Sequence, residues 1–133
     1  MFDLISIGSI SIDLFFKSDT FTFSNNRFQL AVGGKYFAPY FHTGIGGGGT
    51  NVAIGAAKRG LKVAVCGLIG ENPFKKMIVD HLDGFNISHK FSKIVNDYFN
   101  ISTILLTEKG ERTIIHHSTP HQKLFDRFFT KDL

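Results

Sequence analysis

At 133 residues, with 43% hydrophobic and 20% charged residues, the chain holds enough apolar material for one packed domain, which excludes disorder as the starting expectation. Its net charge of +4 comes from Lys and Arg scattered singly or in pairs such as Lys58-Arg59 and Lys75-Lys76, without the basic stripe and interleaved aromatics of a nucleic-acid binder. The opening Met1-Phe2-Asp3-Leu4-Ile5 has no basic leader, no run approaches the ~20 apolar residues of a membrane span, and a single cysteine excludes an intrachain disulfide, so a cytoplasmic setting is expected, with neither nucleic acid nor membrane as partner.

Leu4 to Ile7 is a short apolar run closed by Gly8-Ser9, the pattern of a buried strand that opens an α/β sheet, and Asp13 comes just past it. From Leu14 to Thr43 the chain is aromatic-rich and broken at Ser24-Asn25-Asn26 and Gly33-Gly34, which predicts two or three short strands joined by turns and no helix. Gly44 to Gly49 reads as a glycine-rich loop. A helix of small residues is expected from Thr50 to Arg59, with Thr50 as its cap and Gly60 as its stop.

Lys62 to Leu68 is a second buried strand, within which Cys66 reads as a reduced structural thiol. Gly70-Glu71-Asn72-Pro73 then starts a helix, with Asn72 as N-cap and Pro73 at the first helical position. Phe74, Met77, Ile78 and Leu82 recur at helical spacing up to Gly84. Two alternating strands between Ile101 and His117 flank Glu108-Lys109-Gly110-Glu111, a hairpin turn. The stretch from Thr119 onward, with Phe125, Phe128 and Phe129, has the pattern of a further helix.

The glycine run Gly44-Ile45-Gly46-Gly47-Gly48-Gly49-Thr50-Asn51 admits three readings, because glycines before a helix let backbone N–H groups approach a ligand. A phosphate loop of the Walker type requires a Lys before the Ser or Thr, and no Lys lies between Lys35 and Lys58. Gly44, Gly46 and Gly49 satisfy a dinucleotide fingerprint in form. That motif joins the first strand directly to its helix and needs an acidic residue at the end of the next strand, where this chain has Cys66-Gly67-Leu68. The third reading combines the loop with Asp13 and with the order of the motifs downstream.

Gly8-Ser9, then Asp13, then an excursion of short strands, then Gly46-Gly47-Gly48-Gly49-Thr50-Asn51 opening a helix, then Gly67-Leu68-Ile69-Gly70 and the hairpin Gly110-Glu111-Arg112-Thr113 stand in one order along the chain. In that order the sequence resembles the ribokinase-like (PfkB-type) carbohydrate kinases over nearly its whole length, as their N-terminal portion. The resemblance implies an α/β fold of the Rossmann-like three-layer kind, a mostly parallel sheet flanked by helices. A small β-lid would be formed by strands over about 14–43, and residues 1–133 would be an incomplete part of one kinase domain. It implies an activity as well, transfer of the ATP γ-phosphate to a hydroxyl of a sugar or nucleoside.

By the same resemblance Asp13 accepts hydrogen bonds from substrate hydroxyls, Gly46 and Gly47 let the backbone approach the sugar, and Asn51 offers an amide to another hydroxyl. A carboxylate and an amide are the directional partners a polyol needs. The family's catalytic base lies in a later Gly-Ala-Gly-Asp segment that does not occur in these 133 residues. No catalytic residue is therefore expected in this chain, ATP and Mg2+ are expected to serve the complete kinase and not to bind the chain alone, and lid strands of two subunits are expected to pack as a homodimer. The alternative is a non-catalytic sugar-binding or interaction module that stands alone. Each site residue also has a purely structural reading: Asp13 as a turn residue, Asn51 in a first helical turn, the glycines in helix packing. His116, His117 and His121 do not form an expected metal site, since neighbours on a strand point to opposite faces and no acidic or Cys partner completes the set.

Overall fold

The computed structural model describes residues 1–120, so the helix expected after Thr119 falls largely outside the described residues, as does His121. In chain order the elements are β1 (Leu4–Ile7), β2 (Ser11–Lys17), β3 (Thr22–Ser24), β4 (Arg27–Gln29), β5 (Tyr40–Gly46), α1 (Gly48–Ala57), β6 (Val63–Cys66), β7 (Leu68–Glu71), α2 (Lys75–Gly84), β8 (Lys93–Asn96), β9 (Asn100–Leu106) and β10 (Arg112–Ser118).

The α/β part is built on parallel pairs, as crossover helices require. β1 runs beside β6 in the register Leu4↔Val63 to Ile7↔Cys66, and β7 beside β8 from Leu68↔Lys93 to Glu71↔Asn96. All four residues of β6 are buried, because a Val-Ala-Val-Cys strand with no polar position needs cover on both faces. Ile10, Ala53, Val63, Val65, Ile69, Ile78, Leu82 and Ile87 form the core, with Phe74 and Met77 of the α2 segment packed against it. The Cys66 thiol donates to the Phe91 carbonyl at 3.3 Å, and burial pushes its pKa up, which keeps it protonated and unreactive.

A second sheet, in the order β10-β9-β2-β5, shares no ladder with these pairs but adds Ile12 of β2 and Ile45 of β5 to the same core. β2 pairs antiparallel with β5, from Ser11↔Gly46 to Lys17↔Tyr40, and parallel with β9, from Ile12↔Ile101 to Lys17↔Leu106. β9 and β10 form the hairpin read from the sequence. In its turn Gly110 takes φ +92°, and the Thr107 hydroxyl, foremost, with the backbone N–H of Glu111, holds the Glu111 carboxyl below its ordinary value. β3 and β4 form a separate ribbon whose two turn residues, Asn25 and Asn26, take φ 51° and 58°, the left-handed pair of a type I′ turn.

Five local expectations are corrected. The strands expected over 14–43 are not a unit of their own: β2 starts at Ser11 and also pairs with β9, about ninety positions away, which brings the 100–118 hairpin into the same sheet. The strand expected over Lys62–Leu68 breaks at Gly67, whose N–H turns to the Ser92 hydroxyl, and the Gly67–Gly70 element is itself mostly strand β7, paired with a β8 that the sequence did not reveal. The glycine loop is shorter than expected, since Gly44, Ile45 and Gly46 are the end of β5 and Gly48 already begins α1. Thr50 is not the cap of α1. It lies inside the helix with its hydroxyl buried and unpaired, while Ser9 takes the helix N–H groups instead. Finally, α2 begins at Lys75, because Asn72 spends its carboxamide on the turn ahead of it: Oδ1 accepts from the Phe74 N–H at 2.8 Å, and Nδ2 donates to the Tyr98 carbonyl.

Gly67 sits where a Cβ would lie 2.5 Å from the Gly8 carbonyl oxygen and 2.9 Å from the Ile10 side chain. Backbone cannot yield as a side-chain end can. Gly67→Ala is expected to destabilise the fold by about 1–3 kcal/mol, read as a lowered urea midpoint at unchanged slope; an unaltered midpoint would contradict this close approach.

Candidate functional site

The Gly8-Ser9 turn joins β1 of the α/β part to β2 of the second sheet, and the N-terminus of α1 packs directly onto it. The Gly48 N–H donates to the Ser9 hydroxyl at 3.0 Å, and the Gly49 and Thr50 N–H groups donate to the Ser9 carbonyl at 3.1 and 3.4 Å. The first turn of α1, which has no side-chain cap of its own, is thus satisfied by one serine. Gly47 closes the turn at φ +91°, and a Cβ there would lie 2.4 Å from the Ser9 carbonyl oxygen, so only glycine fits.

An open cleft of about 380 Å³ lies between this junction and one face of the four-stranded sheet. Its floor comes from Ser9 and Gly47. Its wall comes from alternate residues of three strands: Ser11 and Asp13 of β2, Asn100 and Ser102 of β9, His116 and Ser118 of β10, with Tyr98 at the side. Strand alternation and register explain the selection. Asp13 lies opposite Gly44 on one side and Ser102 on the other, and Ser102 lies opposite His116, so Gly44, Asp13, Ser102 and His116 form one row across the sheet on the cleft face.

Asp13 is the charged side chain of this wall among the described residues. Ser11 donates to its Oδ1 at 3.3 Å, which leaves most of the carboxylate's acceptor capacity facing the cleft. Its Oδ2 occupies the place a side chain at residue 46 would need, 2.1 Å from a Cβ built on Gly46. Gly46 is therefore a seat for the Asp13 carboxylate. Ser102 and His116 Nδ1 are 3.0 Å apart, so the imidazole is oriented and its other nitrogen is left for a further partner. Asn100 donates to the Ile10 carbonyl at 2.9 Å and ties the start of β9 to the junction.

Of the four residues singled out in the sequence, the structure brings Asp13, Gly46 and Gly47 together. Asn51 is placed differently: it is exposed one helical turn further on, its N–H donates to the Gly47 carbonyl, and it is not among the residues lining the cleft. Ser102, His116, Ser118 and Asn100 were missed. The alternation of the 100–118 hairpin held a signal for them, since its polar residues recur at every second position, but nothing local tied that face to Asp13. His117 lies opposite Ile101, on the other face from His116, and no group of three metal-binding side chains occurs among the described residues.

The chain matches the model of the pfkB family carbohydrate kinases over residues 1–130. The chain belongs to that family. Among solved structures it is similar to Arabidopsis thaliana ribokinase complexed with ribose and ATP, with a TM-score of 0.71 and 23% identity over 85% of this chain and 35% of that one. It is also similar to ribokinase from Cryptococcus neoformans in complex with ADP, with a TM-score of 0.65 and 23% identity over 89% and 36% of the two chains. A third neighbour is a nucleoside kinase from Burkholderia thailandensis in complex with inosine, with a TM-score of 0.65 and 18% identity over 85% and 34%. The chain therefore spans about a third of the length of these kinases, and the shared fold is the ribokinase-like one.

The seat at Gly46 gives a direct test within this family fold. Gly46→Ala is expected to fold, because the Asp13 side chain can rotate away, and to cost less than the roughly 1–3 kcal/mol of an overpacked core. The Asp13 carboxyl carbon should change its chemical shift in NMR; identical signals in both proteins would show that the carboxylate does not sit over residue 46.

Proposed function

We propose that this chain is the acceptor-gripping portion of an ATP-dependent kinase that phosphorylates a hydroxyl of a sugar or nucleoside. The observation that carries the proposal is the position of Asp13: a carboxylate with free acceptor capacity, seated over Gly46, in a cleft otherwise lined by hydroxyl, amide and imidazole groups. Vicinal hydroxyls are donors arranged for such an acceptor, and hydrogen bonds to a charged group are worth about 1.5–3 kcal/mol each. Gly47 supports the reading by keeping the backbone low at the cleft floor. Asn51 has a weaker claim, and reaches a ligand only from the first turn of α1. The ribose and inosine named for the two kinases above agree with a polyol in this place.

Two features of the described residues support placing the nucleotide elsewhere. The N–H groups that open α1, the natural anion site of such a helix, are engaged by Ser9, and the charge lining the cleft is negative. We assign ATP, Mg2+ and the catalytic base to a part of the complete kinase that these residues do not supply. Phosphoryl transfer depends on positioning and on stabilising charge at the transferring group. The chain alone would then hold an acceptor without activating it.

Two measurements test this reading together. Asp13→Asn should weaken binding of ribose or a nucleoside about ten- to a hundredfold by calorimetry, with the thermal midpoint little changed; unchanged affinity would return Asp13 to the role of a strand residue. The 133-residue chain should release no ADP in a coupled assay with sugars and nucleosides, and turnover near the ~1–100 per second usual for kinases would mean that the catalytic groups lie within it.

The other face of the four-stranded sheet supports the proposed homodimer. Phe16 and Phe41 pack at 4.9 Å, and Phe41 and Ile115 remain 55% and 62% exposed on that side, so a second copy would cover them. Sedimentation should find a dimer that Ile115→Lys disperses; a monomer at all concentrations would refute the pairing.

A further inference from the structure

The cleft face of the four-stranded sheet changes character within one repeat of the strands. Two positions beyond the row Gly44–Asp13–Ser102–His116, the same registers align His42 with Phe15, Phe15 with Ile104, and Ile104 with Ile114. Since each step of two residues returns to the same face, this second row lies on the sheet face that carries the cleft wall, about 7 Å further along the strands. It carries no charge and no hydroxyl. The Phe15 and His42 rings lie 6.0 Å apart at an interplanar angle of 36°, with Gly44 below them adding no side chain. Ile114 is 50% exposed although its row-mate Ile104 is buried.

We infer that the acceptor is a nucleoside, its sugar hydroxyls on the Asp13 row and its base against the row of Phe15, His42, Ile104 and Ile114. The inference rests on the proposal that Asp13 grips a polyol and adds the class of that polyol. A free sugar presents hydroxyls around its rim and has only a small C–H face to set against the upper row, far less than the flat face of a base. A sugar phosphate or sugar acid would bring a second negative charge toward Asp13. A nucleoside is uncharged, polar at one end and flat and apolar-faced at the other, in the order that the two rows present. The exposed His42 and Ile114 side chains lose water contact when a base covers them, and the Phe15–His42 pair offers a surface on which any base can stack.

The test is calorimetric binding of inosine and of ribose to the full chain. Inosine should bind about tenfold or more tightly than ribose, the contribution typical of one base stacked on an aromatic side chain. Phe15→Ala should remove most of that preference and leave ribose affinity in place. His42→Ala, at an exposed position of an outer strand, should reduce the preference without loss of fold, so a failure of the Phe15 variant to fold does not remove the test. Equal affinity for inosine and ribose, or a preference that both substitutions leave intact, would overturn the inference while the polyol reading stands. Binding of neither ligand by a chain whose amide spectrum is that of a folded protein would overturn the polyol reading and this inference with it.

Discussion

The Gly8-Ser9 turn is the point on which this molecule is hung. Three glycines converge on it: a Cβ on Gly47 would strike the Ser9 carbonyl, one on Gly49 would come within 2.8 Å of Gly8, and one on Gly67 would strike the Gly8 carbonyl, while a Cβ on Gly8 itself would meet the Gly49 N at 2.8 Å. The turn is thus clamped between the start of α1 and the break between β6 and β7. Once it is clamped, Ser9 satisfies the helix N–H groups that no side chain caps, and β2 must leave the parallel part in one direction. The cleft exists because the second sheet departs from this fixed corner.

That corner also explains why the glycine run is not a phosphate cradle. A helix N-terminus attracts anions when its N–H groups are unsatisfied, and here a serine from the neighbouring turn has taken them. The same glycines instead allow close packing at the floor and leave room for a carboxylate at Gly46. Electrostatically the result is a neutral floor with one negative group on the wall, which suits hydroxyl donors.

The second sheet then separates two chemistries by strand alternation alone. Ser11, Asp13, Ser102 and His116 face the cleft, while Leu14, Phe16, Phe41 and Ile115 fall on the reverse. A one-residue slip of β2 against β9 would exchange the two faces. The Asn100 side chain, bound to the Ile10 carbonyl at the corner, is one of the contacts that hold the register.

Much of this was legible in the residues. The apolar runs at Leu4–Ile7 and within Lys62–Leu68, the small-residue helix stopped near Gly60, the helical spacing of Ile78 and Leu82, and the Glu108–Glu111 hairpin are local patterns, and period and turn chemistry are enough to place them, though not the break at Gly67. Asp13 and the glycines stood out through their order along the chain, as a family resemblance. What the sequence could not determine is the pairing of β2 with β9, because a ladder between residues some ninety positions apart leaves no mark in either segment. With that pairing undecided, Ser102 and His116 were simply polar strand residues and Asp13 a residue past a strand; the tertiary fold made them one row. Capping was decided at the same level. Thr50 had the right chemistry for a cap, but a serine from another segment reached the helix end first, and the hydroxyl of Thr50 was left in the core.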